Sequence, residues 1–188
     1  MSILVIADHN HETILPATLN AVAAAGEIGG DISVLVAGSG CGAAAKAAAE
    51  IAGVSTVLVA DSGEYTNGLA ENVAPLISGI ASSYSHILAP ATTYGKNIMP
   101  RVAALIDTVQ ISDIVKVVDA ATFQRPIYAG NALATVLSDE AVKIITVRST
   151  AFEPAAASGG SANIEAVSAT GEAGLSSFEK SELSKSER

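Results

Sequence analysis

Cysteine, tryptophan and basic side chains are all scarce in this chain, and each shortage excludes something. Cys41 is the only cysteine, so no internal disulfide can form, which fits a reducing compartment. Aromatic residues are 4% of a chain that is 49% hydrophobic, and tryptophan is absent. The apolar content is therefore mostly Ala, Val, Ile and Leu. That suits helices packed closely on a parallel sheet and argues against an aromatic-rich β-sandwich. Lys and Arg number 10 against 19 Asp and Glu, a formal net charge of −9. Phosphate backbones repel such a surface, so nucleic acid is not an expected partner. Mean hydropathy is positive at +0.44, yet no apolar run approaches the roughly 20 residues that a membrane span needs. Strand-like residues follow Met1 directly. The expected location is therefore cytoplasmic, or the mitochondrial matrix if a transit peptide has been removed.

What the chain does have is a repeated strand–helix rhythm. Ile3–Ala7 is a β-branched apolar run ending at Asp8-His9-Asn10-His11, a buried parallel strand followed by a crevice loop. Thr13 is placed to cap the next helix, with Pro16 in its first turn and Leu15, Leu19, Val22 and Ala23 as its inner stripe. Strands are expected at Ile32–Ala37 and Thr56–Ala60, and helices at Ala43–Ala52 and Leu69–Ser82. The stretch from Ser85 to Asp113 is the most informative. It passes from the apolar run Ile87-Leu88-Ala89 through the polar turn Thr92–Asn97 into a helix with Ile98, Val102, Leu105 and Ile106 on one face. Consecutive βα units of this kind impose parallel pairing and right-handed crossovers.

The rhythm breaks after Asp113. Ile114–Val118, Phe123–Ala129 and Ala132–Leu137 are strand-like with no helix between them, which predicts a three-stranded antiparallel excursion. Val142–Arg148 then returns to the main sheet as its fifth strand. From Phe152 the composition turns small and polar, too poor in apolar area to fold alone. The expected organisation is an α/β domain over 1–150 and an extended arm or linker over 151–188.

Gly38-x-Gly40-x-x-Ala43 lies between a strand and a helix, with Asp61 at the end of the next strand. This is the glycine-rich pattern of a dinucleotide turn, in which close backbone approach and a helix N-terminus receive a pyrophosphate. The same glycines also serve a tight βα turn that binds nothing. The motif sits on the second strand, away from the expected switch between strands one and four. Thr92–Asn97 is not a Walker loop: Pro90 and Asn97 stand where glycine and Ser/Thr are required. Two histidines at i, i+2 with only Asp8 nearby fall short of a metal set, and no metal is expected. Cys41 at a helix start and His86 before a strand read as structural. No nucleophile elbow or paired-carboxylate motif marks a catalytic centre, and no catalytic residue is assigned.

GKNIMPRVAALID, ISDIVKV, TFQRPIYAGNALATV, SGGSA and KSER occur here in one order along the chain. With these motifs the chain resembles the N-terminal domain of the electron transfer flavoprotein α subunit. The resemblance implies a five-stranded, mostly parallel, Rossmann-like sheet of the adenine nucleotide alpha hydrolase kind, flanked by helices, with a small three-stranded antiparallel sheet. It implies an αβ heterodimer with one FAD, and AMP in the β subunit. Such a carrier takes electrons from acyl-CoA and other dehydrogenases, including those of fatty acid β-oxidation, and passes them to the electron transfer flavoprotein–quinone oxidoreductase. The FAD ligands would lie beyond Arg188, so no cofactor-binding residue carries over onto this sequence. Assembly residues are expected at Thr92, Thr93, Tyr94, Lys96, Asn97 and Arg101, and at Arg125, Tyr128 and Asn131. Two other readings follow from the residues alone: a dinucleotide-dependent oxidoreductase using the Gly38–Gly40–Ala43 turn, and an adenine-nucleotide site near Asp8 and Thr92.

Overall fold

A computed structural model describes residues 1–182. The motif Lys185–Arg188 lies outside the described residues. The first five strands are β1 (Ser2–Ile6), β2 (Asp31–Gly38), β3 (Val54–Asp61), β4 (His86–Pro90) and β5 (Gln110–Ile114), and the first four helices are α1 (Pro16–Ile28), α2 (Gly42–Ala49), α3 (Ala70–Ile80) and α4 (Thr93–Leu105). Then come β6 (Lys116–Val117), β7 (Thr122–Ile127), β8 (Ala132–Leu137), β9 (Lys143–Val147) and β10 (Asn163–Ala166). The main sheet has the order β10-β3-β2-β1-β4-β9-β5 and is parallel throughout, while β6, β7 and β8 form a separate antiparallel sheet.

Strand alternation sorts the core into two layers. Ile3, Val5, Val34 and Val36 face α1 and α2, while Leu4, Ile6, Leu35 and Ala37 face α3 and α4. Both faces of the central strands are therefore buried, which accounts for their unbroken apolar runs. The helices seat by small residues. Ala44, Ala45 and Ala48 of α2 are essentially fully buried, and a Cβ on Gly95 would stand 2.0 Å from the Pro90 carbonyl oxygen. Glycine there lets the first turn of α4 press on the end of β4. The buried side of α4 is Ile98, Met99, Val102 and Ala103, with Ile106 packed against the same layer; of the expected stripe only Leu105 is exposed.

The α/β architecture and the small antiparallel sheet stand as expected, but the main sheet has seven strands instead of five. The expected strand Ile114–Val118 is split. Its start belongs to β5 at one edge of the main sheet, and Lys116–Val117 crosses to the antiparallel sheet. The break is a register shift between Ile111 and Ile114 with Asp113 at φ +60°. Arg148 holds this kink, pairing with the Asp113 carboxylate and donating its main-chain N–H to the Ile114 oxygen at 3.0 Å.

The second added strand is β10, in the small-residue segment. After Phe152 the chain runs back along α1 and α2, where the Ala155 N–H donates to the Leu19 oxygen at 3.1 Å and the Gly160 N–H to the Glu50 oxygen at 2.8 Å. Asn163–Ala166 then pairs with Thr56–Val59 on β3. All four β10 side chains are exposed.

Candidate functional site

β1 and β4 are neighbours although β2 and β3 intervene in sequence, so the sheet order reverses between them. The crevice at the carboxyl ends of these strands is where open α/β sheets place ligands. Asp8 and Thr92 meet across it, the Thr92 hydroxyl donating to Asp8 Oδ2 at 2.8 Å. The Thr92 oxygen also accepts the Gly95 N–H at 3.4 Å as the α4 cap. The Asn10 side chain accepts the N–H groups of Glu12 and Thr13, an Asx turn that holds Thr13 in the loop and away from the helix cap expected of it. Helix α1 starts instead at Pro16 with no side-chain cap.

The two loop histidines point inward. The His9 ring accepts the His11 N–H at Nδ1 (3.0 Å) and donates from Nε2 to the Ala37 oxygen (3.1 Å). The His11 Nε2 donates to the Thr66 oxygen at 2.9 Å, leaving Nδ1 to face the Ser39 N–H at 3.4 Å. Burial pushes the His9 pKa below its usual value. Each ring thus clasps one loop to another. Among the described residues no group of three His, Cys, Asp or Glu side chains is arranged to hold a metal. A cavity of about 200 Å³ remains beside them, lined by His9, His11, Thr66, Gly68 and Tyr94. Burial, then the Asp8 charge, raises the Tyr94 pKa, so its phenol stays protonated.

The glycine turn is occupied from within. The Gly40 N–H donates to Asp61 Oδ1 at 2.7 Å, and the Ala44 N–H to the His11 main-chain oxygen at 3.3 Å. With the Ser39 amide facing His11 at 3.4 Å, three amides of the turn are committed to the protein, and Asp61 adds a negative charge where an anion would sit. Gly38 is needed for a protein contact, since a Cβ there would stand 2.6 Å from His11 Nδ1. These residues do not fit a dinucleotide phosphate or the pyrophosphate of FAD. Cys41 is buried, and burial raises its thiol pKa, the reverse of an activated nucleophile. His86 is also buried, with Nε2 at 2.6 Å from the Ala120 oxygen and Nδ1 at 2.9 Å from Ser85 Oγ. It ties the antiparallel excursion to the main sheet.

The expected assembly residues fall into two groups, one at the start of α4 after β4 of the main sheet and the other on the β7–β8 hairpin of the separate antiparallel sheet. Thr93, Lys96 and Asn97 are exposed on the first turns of α4, while Tyr94 is half-buried. Arg101, further along α4, is 4.0 Å from Glu71, and its Nε is buried without a partner among the described residues. In the second group Arg125 Nε donates to the Ser112 oxygen at 2.7 Å. Tyr128 and Asn131 are exposed at the tip of the β7–β8 hairpin. Reading the sequence missed Leu133 and Leu137, which stand exposed on one face of β8. The alternation Leu133-Thr135-Leu137 was the available signal.

Residues 3–172 match the family model described as the electron transfer flavoprotein domain. The chain belongs to this family. The match spans the main sheet, the antiparallel sheet and the segment that adds β10. Among relatives, the electron transfer flavoprotein subunit alpha of Pseudomonas aeruginosa is 61% identical over 188 residues, all of this chain and 61% of that protein. The subunit alpha of Bradyrhizobium diazoefficiens is 54% identical over all of this chain and 60% of its own length. The mitochondrial subunit alpha of Dictyostelium discoideum is 46% identical over 98% of this chain and 57% of its own. The chain thus spans about 60% of the length of these relatives. Among the described residues no helix is long and apolar enough to cross a membrane.

Proposed function

We propose that this electron transfer flavoprotein domain is the non-catalytic platform of an α subunit that pairs with a β subunit. The main support is the self-filled glycine turn, seen in a chain that matches the family over residues 3–172. The platform holds the β subunit, and 151–188 is the arm leading to a further domain that carries FAD, with AMP in the β subunit. The assembled carrier takes electrons from acyl-CoA and other dehydrogenases and hands them to a quinone oxidoreductase. This chain's residues supply fixed geometry and exclude water from the core, and no redox step passes through them. Electron tunnelling falls steeply with distance, so a rigid base with a tethered redox module suits a carrier that meets several partners.

The assembly surfaces in this reading are the α4 start (Thr92, Thr93, Tyr94, Lys96, Asn97, Arg101) and the hairpin (Arg125, Tyr128, Asn131). Co-expression with an electron transfer flavoprotein β subunit, followed by size-exclusion chromatography, tests it. Co-elution of a colourless chain with the β subunit is expected. Separate elution, or a yellow flavin-loaded preparation of these residues alone, would overturn the reading.

A further inference from the structure

We infer that residues 168–182 form a releasable strap, hinged at Ser168, whose opening lengthens the tether to whatever follows. The segment after Phe152 is held in two physically different ways. Its first half is anchored by packing and by a backbone ladder. Phe152 is buried, Ala155 and Ala162 pack on the α1/α2 layer, and Val167 packs on the α3/α4 layer. Asn163–Ala166 pairs with β3, and the Val167 N–H donates to the Val59 oxygen at 2.8 Å.

From Ser168 to Glu182 every residue is exposed, including Leu175 and Phe178. What holds this half to the body is a row of side-chain acceptors just before and within the first turn of α3. The Thr170 N–H donates to the Tyr65 oxygen, the Gly171 N–H to Glu64 Oε1 and the Ala173 N–H to Asn72 Oδ1, each at 3.0 Å. The Ser176 hydroxyl donates to Glu71 Oε2 at 2.9 Å. Water can replace each of these bonds when the strap lifts. Glu71 has a second partner waiting, because Arg101 lies 4.0 Å away with its Nε unpaired among the described residues. Opening therefore lets Glu71 close on Arg101 as Ser176 departs. The 15 residues from 168 to 182 add up to about 50 Å of extended reach. Only the identity of the tethered module rests on the proposed function above.

Hydrogen–deuterium exchange on the full chain tests the strap directly. Amides of 169–176 are expected to exchange at least tenfold faster than those of 164–167. Tyr65→Phe and Glu71→Ala should each accelerate 169–176 further and leave 164–167 unmoved. Exchange of both halves at one rate in the unmodified chain would overturn the inference, as would variants that leave 169–176 unchanged or accelerate both halves together. A full-length subunit that binds no flavin yet shows the two exchange rates would remove the functional reading and keep the strap. Uniform exchange in a flavin-loaded subunit would do the opposite.

Discussion

Asp61 Oδ1 accepts the Gly40 amide at 2.7 Å, so the protein's own carboxylate sits where this kind of turn would receive a pyrophosphate. The acid that resembles a ribose ligand in sequence is turned back on its own loop. Titration with NAD(H) is therefore expected to give no saturable binding, followed by nicotinamide fluorescence. Asp61→Ala should not create nucleotide binding, because His11 still fills the turn. Tight binding by either protein would show that the turn is open to ligands.

Asp113 joins two sheets through a left-handed backbone at φ +60°, which glycine adopts freely and alanine does not. Asp113→Gly and Asp113→Ala both lose the Arg148 pair, so their difference isolates the backbone. Alanine is expected to be less stable than glycine by about 1 kcal/mol. Urea unfolding of the two variants measures it, and equal midpoints would refute strain at the kink.

Phe123 is fully buried in the first core layer and stands edge-on to His86 at a centroid distance of 6.4 Å. It is the main apolar anchor of the antiparallel sheet. Phe123→Ala should cost about 3–5 kcal/mol and make the β7–β8 hairpin the first site of proteolytic cleavage. A loss under about 1 kcal/mol would mean that other contacts seat the hairpin.

Burial pushes the pKa values of His86 and His9 below 6.5. Below 6.5 the unfolded chain binds protons that the folded chain resists, so stability is full above that pH and declines as pH falls from it toward the folded values. A second decline follows as pH drops through 4.5, because the Ser62 hydroxyl holds the Glu64 carboxyl low. Urea midpoints measured across this range should fall in that order. His86→Gln should flatten the first decline, and an unchanged slope would assign it to other groups.

Much of the fold was legible because buried parallel strands leave unbroken β-branched runs, and Ile3–Ala7, Ile32–Ala37 and Ile87–Ala89 show it. The hidden parts are those that side-chain pattern does not govern. Only Ile114–Val118 read as a strand, and the start of β5 at Gln110 was missed, because no residue type announces a left-handed Asp113 in mid-run. β10 was missed because its four side chains are all exposed and only main-chain bonds define it. The crevice loop was placed correctly, but the inward turn of His9 and His11 depends on carbonyls at Ala37 and Thr66, far away in sequence. Composition also hid the division of the arm, since its fixed and releasable halves are equally rich in small residues.

The stretch that buries no side chain of its own has a large effect on how copies of the molecule meet. Asn163–Ala166 covers the outer rim of Val54–Asp61, which would otherwise present a bare row of amides and carbonyls to any passing strand. A chain cut just after the last apolar strand at Val147 would keep nearly all of its core and still be prone to zip onto its twin. A four-residue edge thus replaces an eight-residue one, a shorter template for pairing drawn from a segment that hydropathy alone would discard.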